Sequence, residues 1–158
     1  MLSSERVEVS DSYDEMYEQL CEWGWTDGLP IVPPTVERVR AFIDFTGRDA
    51  GEVVAEIPTL NGQATIEKIA INAVMAGCKP EYMTVLFAAI DAVMVPAFNI
   101  GGLQATTNPV APMIIVNGPI RGGLGINSGS GALRPGWRAN ATIGRALRLV
   151  LVNIGGAI

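Results

Sequence analysis

The chain has 158 residues, enough for one domain with a single buried core. Only 17% of its residues are charged and 49% are apolar, with a mean hydropathy of +0.31, so it carries more apolar surface than one small core hides and implies a partner. A net charge of −5 without a basic run excludes nucleic acid, the absence of histidine excludes imidazole triads and imidazole metal sites, and no run reaches the roughly 18 uninterrupted apolar residues that span a bilayer.

The N-terminal stretch MLSSERVEVSDSYDE is polar and acidic and lacks the apolar core of a secretory signal, so the expected compartment is the cytoplasm. Ser12 to Glu15 reads as a capping box. Tyr13, Met16, Tyr17, Leu20 and Cys21 then recur at helical spacing, which predicts a short amphipathic helix over 13–23 that ends at Gly24. In WTDGLPIVPPT, Asp27-Gly28 marks a turn, and Pro30, Pro33 and Pro34 force an extended strap pinned across a surface. Thr35 caps a helix over about 36–45 with Val39, Phe42 and Ile43 inward and Gly47 at its end.

Residues 52–58 predict a short strand, followed by the turn signal Asn61-Gly62. A helix begins near Thr65, with Asn72 inside an otherwise apolar pattern. Pro80 suits the first turn of a further helix whose residues 85–95 are apolar on every side except at Asp91. That composition predicts a central helix, sandwiched or lying under a partner, in which Asn72 and Asp91 each need a hydrogen-bonding partner. Residues 113–117, MIIVN, form a continuous apolar run that predicts a strand covered on both faces. The last helix, about 140–154, turns Ile143, Leu147, Val150, Leu151 and Ile154 inward and Arg145 and Arg148 outward. The expected order is α-α-β-α-α-β-α, an α/β or α+β fold with a small, mostly buried sheet covered by helices. Residues 1–24 read as a tail and helix, and 25–158 as a single α/β domain of a larger unit. Its core is expected to be completed by a second protein chain or a further C-terminal segment in an obligate complex, across an apolar interface on helix 85–95 and segment 149–158.

Chemistry gathers between Pro112 and Gly156. The loop RGGLGINSGSGALRPGW is crowded with glycine, which is costly unless the backbone turns at positive φ or lets a ligand approach its amides. Arg121, Arg134 and Arg138 lie in or beside it, and the N-terminus of the last helix points its free N–H groups at the same space. Two readings stand: a site for a small anionic or carboxylate-bearing molecule over 121–140, or a long structural connection. Neither the GxGxxG nor the P-loop pattern is present. The expected binding set is Gln104, Thr106, Thr107, Asn108, Asn117, Gly122, Gly123, Asn127, Ser128, Arg134, Trp137, Arg138 and Asn140. The Gln, Thr, Asn and Ser side chains among them are uncharged donors and acceptors that suit a small polar ligand, with Trp137 as a stacking face and Arg138 as a fork for carboxylate.

Two residues are candidates for catalysis. Asp27 reads as a general acid or base, or as the anchor of its own turn. Cys78 precedes Lys79, whose charge favours a thiolate, but it follows a helix C-terminus, whose dipole opposes one; it is a nucleophile or a buried structural cysteine. Cys21 and Cys78 match no zinc spacing, so no metal site is expected, and no cofactor is assigned. Glu67 reads as a dipole-favouring residue at a helix start.

The phrases WTDGLPIVPPT (25–35), EKIAINAVMAGCKPEY (67–82), QATTNPVAPMIIVNGP (104–119), LGIN (124–127) and PGWRANATIGRALRL (135–149) resemble a family of poorly characterised bacterial proteins associated with UGSC-type (seleno)proteins. The resemblance spans most of residues 25–156. It implies a partner or subunit of a thiol- or selenol-dependent enzyme system, in chains that continue past the equivalent of Ile158, and it assigns no catalytic residue. Two expectations follow. One is a subunit of a heteromeric enzyme, of lyase, hydrolase or thiol-linked reductase type, that binds a small anion while a partner supplies the missing groups. The other is a non-catalytic scaffolding subunit of a thiol- or selenol-dependent redox complex.

Overall fold

The computed structural model describes residues 2–156, and within them the fold is α+β, helices with one two-stranded antiparallel sheet that is less buried than expected, only Ile57 and Ala64 among its residues being buried. Helix α1 (Tyr13–Glu22) buries Met16 and Leu20, one turn apart on a single face, as their spacing predicts. The expected capping box does not form. The Ser12 side chain caps no helix amide, and Ser10 Oγ donates to the Glu15 carboxylate at 2.6 Å instead. The strap after Gly24 is mostly exposed apart from Ile31, and the Val32 N–H donates to the Met75 carbonyl at 3.1 Å. Helix α2 (Val36–Thr46) has Thr35 as its cap, Val39, Phe42 and Ile43 inward, and Gly47 at φ 64° closing it.

Strand β1 (Val53–Ile57) pairs with β2 (Gly62–Thr65), with an irregular register between Val53 and Ala55. The second strand is not legible in the sequence, because GQAT has neither β-branched enrichment nor alternation. It forms because the turn brings it back beside β1, and Gly62 is required there by close approach. A Cβ at this position would lie 1.9 Å from the Ile154 carbonyl oxygen.

Helix α3 (Ile66–Met75), not the helix after Pro80, is the central one. Eight of its ten residues are buried, including Glu67 and Asn72. It packs against α2 and against α7 (Arg138–Asn153), while α4 (Met83–Val93) packs on α7 and β1. Helix α4 buries Met83, Val85, Leu86, Ala89, Ile90 and Val93 but leaves Thr84, Ala88, Asp91 and Ala92 in water. The pattern looked apolar all round because alanine counts as apolar, yet an alanine face stays exposed at little cost. Asp91 therefore needs no buried partner. Asn72 does need one and has it: its Nδ2 donates to the Lys68 carbonyl at 2.9 Å and its Oδ1 accepts from Asn153 Nδ2 at 2.7 Å.

Residues 113–117 do not form a strand. The segment is neither helical nor paired with a strand among the described residues, and only alternate residues turn inward: Ile114 and Val116 pack on the core while Met113 and Ile115 are 75% and 71% exposed. A continuous apolar run cannot by itself distinguish a strand buried on both faces from an edge awaiting a neighbour. Two short helices flank it, α5 (Ile100–Ala105) and α6 (Pro119–Gly123). Helix α7 buries Ile143, Leu147, Val150 and Leu151 as expected, followed by buried Ile154. Of the expected interface, the inward faces of α4 and of residues 149–154 are thus covered within the chain, while Phe87, Met94 and Val152 are only partly buried and Val95 is exposed. Ala157 and Ile158, which belonged to that expectation, lie outside the described residues. No single helix among the described residues is long and apolar enough to cross a membrane.

Candidate functional site

The glycine-crowded loop is held by its own amide side chains. Asn140, in the first turn of α7, uses Oδ1 to accept the Asn127 N–H at 2.9 Å, and its Nδ2 donates to the carbonyls of Asn127 and Ala132 at 2.9 and 3.1 Å. Asn127 closes the inner turn by accepting the Gly129 N–H at 2.9 Å and donating to the Ser130 carbonyl at 3.0 Å. Arg121 donates to Ser128 Oγ. Asn127, Ser128 and Asn140 are therefore brought together as expected, but as the loop's internal scaffold. Gly122 and Gly123 belong to α6, where an added Cβ would meet nothing within 4 Å, so neither is needed for close backbone approach.

Arg138 is not a free fork for a ligand carboxylate. Its Nε donates to the Gly77 carbonyl at 2.8 Å and its NH2 group to the Cys78 carbonyl at 3.0 Å. The guanidinium thereby satisfies carbonyls just past the end of α3, where a cation also complements the helix dipole. Trp137 is exposed at the start of α7, and no side chain caps that helix. Arg134 is exposed and makes no side-chain hydrogen bond among the described residues.

Cys78 lies buried against the same helix, and its Sγ donates to the Thr142 carbonyl at 3.4 Å. Burial pushes the thiol up to about 11, and the Thr142 hydrogen bond with the charges of Arg138 and Arg145 only partly offsets that. It is a protonated, packed thiol at neutral pH. Asp27 is engaged by Arg145, one turn beyond Thr142. The guanidinium makes a two-pronged ion pair with the carboxylate at 2.7 and 2.8 Å and also donates to the carbonyls of Leu29 and Pro30. Burial raises the Asp27 carboxyl, but the hydrogen bonds and charge of Arg145, with the Leu29 N–H, outweigh it and leave the group below its ordinary value. Both catalytic candidates thus meet one stripe of α7, Arg138, Thr142 and Arg145, which anchors the strap and the end of α3.

The remaining candidates lie elsewhere. Gln104, on α5, is 7% exposed; its Nε2 donates to the Pro58 carbonyl at 2.8 Å while its Oε1 has no partner among the described residues. Thr106 and Asn108 form their own small turn, in which Thr106 Oγ1 accepts both the backbone and side-chain nitrogen of Asn108 at 3.2 Å. Thr107 and Asn117 are exposed. Sequence reasoning missed the work of Arg145, Asn153 and Glu67. Glu67 is buried, and its carboxylate accepts the N–H groups of Ser3 and Ser4 at 2.8 and 3.0 Å and Ser3 Oγ at 3.1 Å. Burial raises that carboxyl, yet the Ser3 and Ser4 hydrogen bonds prevail and lower it overall. The one available signal was a carboxylate at the start of a helix whose remaining face is apolar.

Comparison with protein-family models, curated proteins and solved structures gave no match to this chain. The functional reading therefore rests on geometry.

Proposed function

We propose that this chain is a scaffolding subunit that docks a second protein chain by strand addition along residues 112–117. The observation that carries this reading is a segment of alternating exposure with no ladder partner among the described residues, inward at Ile114 and Val116 and open to water at Met113 and Ile115. Unpaired strand edges recruit extended segments from other chains, main-chain hydrogen bonds giving affinity and alternate side chains giving specificity. Every residue between Asp91 and Arg121 is uncharged, so the occupant that fits is an uncharged, apolar extended segment. The thiol- or selenol-dependent chemistry implied by the resemblance would then belong to the partner, since Cys78 holds its proton up to about 11. Both cysteines are free thiols, in keeping with the cytoplasm as the compartment.

A synthetic peptide copying residues 111–118 serves as the strand donor in the test. Saturable binding, with slowed amide exchange at 113–117 and loss of both in an Ile115→Pro variant, is expected; unchanged exchange at saturating peptide refutes strand addition.

One observation favours a second reading, a small anion bound by an enzyme subunit. The α7 N-terminus has no side-chain cap, and Arg134 stands exposed nearby in sequence. On this reading phosphate or acetate slows amide exchange at 137–140 at millimolar concentration, while an Arg138→Ala variant keeps the effect because Arg138 is engaged at Gly77 and Cys78. Absence of any slowing leaves strand addition as the sole reading.

A further inference from the structure

The charge of this protein is gathered at one end. Residues 1–24 hold seven of the sixteen carboxylates and one of the eleven basic residues, a net −6, whereas the other 134 residues, with nine acidic and ten basic, sum to +1. None of those seven carboxylates forms an ion pair among the described residues. On the same end, Trp23 and Trp25 lie with ring centroids 4.8 Å apart and planes tilted by 54°. With Val7 they line an open cleft of about 310 Å³. Trp23 and Trp25 are 38% and 42% exposed as residues, a large apolar area to leave in water beside an aliphatic side chain. Glu22, next in the chain to Trp23, lines a second cleft of about 530 Å³ together with Asp14, Glu15 and Glu18.

We propose that this end of the molecule docks a basic amphipathic segment of a partner protein. An aliphatic or aromatic side chain of the partner enters the cleft of Val7, Trp23 and Trp25, and its Lys or Arg side chains meet the carboxylates of α1. The indole cleft carries the affinity, as exposed paired aromatics do at interface centres, and the unpaired carboxylates select the occupant by charge. A basic side chain can also lie over an indole face, where cation and ring attract. An acidic segment, a nucleic acid or an anionic bilayer is repelled by the same carboxylates. This surface is separate from residues 112–117, so it stands or falls independently of strand addition.

Fluorescence titration of the full chain in a Trp137→Phe background tests it, because all tryptophan emission then comes from Trp23 and Trp25. The probe is a synthetic amphipathic helix of leucine and lysine, with a leucine–glutamate helix and a polylysine of equal charge as comparisons. Saturable change with the leucine–lysine peptide is expected, weakening with salt, and Kd rises at least about tenfold for Trp25→Ser and for Glu18→Lys with Glu22→Lys. Circular dichroism of each variant confirms that the helices persist, and Trp25→Phe, which keeps an aromatic ring, restores most of the affinity. Equal binding of polylysine, an unchanged Kd in Trp25→Ser, binding of the acidic peptide, or binding of anionic phosphatidylserine vesicles each overturns the proposal.

Discussion

Asp27 and Arg145, 118 positions apart in the chain, meet in a two-pronged ion pair at 2.7 and 2.8 Å, each side chain 18% exposed. Arg145 also holds the carbonyls of Leu29 and Pro30, so one guanidinium clasps the proline-rich strap to α7. A second clasp lies further along, where Asn153 Nδ2 donates both to the Trp25 carbonyl at 3.1 Å and to Asn72. The rigid path set by Pro30, Pro33 and Pro34 means that these few contacts suffice to place the whole strap.

Replacing Arg145 with alanine removes four hydrogen bonds and leaves a half-buried carboxylate, and the expected loss is roughly 2–4 kcal/mol. Asp27→Asn loses less, because the strap carbonyls keep their donor. The Asp27 carboxyl is lowered in the folded state, so its contribution is present above the unfolded value of about 3.9 and is lost as pH falls through the folded value. Urea unfolding of wild type and Asp27→Asn between neutral and strongly acidic pH should show the difference closing in acid; a constant difference would contradict the pairing.

Arg138→Ala should destabilise the protein by about 1–2 kcal/mol by freeing the Gly77 and Cys78 carbonyls at the end of α3. Lysine at this position recovers part of the loss as a point charge but not the two-carbonyl geometry. Hydrogen exchange over 76–80 reports it directly, and no change there would show the contact to be idle.

Asn140→Ala removes three hydrogen bonds that define the loop, with an expected loss of about 1–3 kcal/mol and faster exchange over 127–132. Asn140→Asp keeps the acceptor for the Asn127 N–H but loses both donors, so it should lie nearer to alanine than to wild type. A wild-type exchange pattern in both variants would mean that the loop is held by something other than Asn140.

Cys78 should resist thiol reagents in the native protein while the half-buried Cys21 reacts. Between the unfolded thiol value of about 8.5 and the folded value of about 11, the native state holds a proton that the unfolded state releases. Stability therefore falls as pH rises through that window, and Cys78→Ala should flatten the fall. Mass spectrometry of the labelled native chain and alkaline unfolding curves check the two halves; labelling of Cys78 at the rate of Cys21 would overturn both.

Gly62→Ala should be severely destabilising, because its Cβ would collide with the Ile154 backbone, which is not the far end of a flexible side chain. Gly122→Ala, in open space on α6, should be neutral or mildly stabilising. Thermal melts of the pair test the claim that close approach, not loop glycine content, marks the constrained backbone; equal melting temperatures would refute it.

Local patterns carried much of the fold. The 3.6-residue spacing of Met16 and Leu20, of Val39, Phe42 and Ile43, and of Ile143, Leu147 and Val150 marks buried faces that the structure reproduces, and Thr35 and Gly47 bound α2 as their chemistry requires. The site was less legible. Amide and arginine side chains announce hydrogen bonds, but the sequence does not say whether the partner is a ligand or the chain's own backbone. Asn140 and Arg138 bond the chain itself.

By itself the sequence determined the helix faces, their caps and the strap, because those depend on neighbours within a few residues and on the stereochemistry of proline and glycine. Only the tertiary structure decided which helix is central, that residues 113–117 stay unpaired, and that Asp27 answers to Arg145 and Glu67 to Ser3 and Ser4. Those outcomes depend on which distant surfaces cover one another. No spacing within a single segment encodes the partner of a side chain more than a hundred positions away.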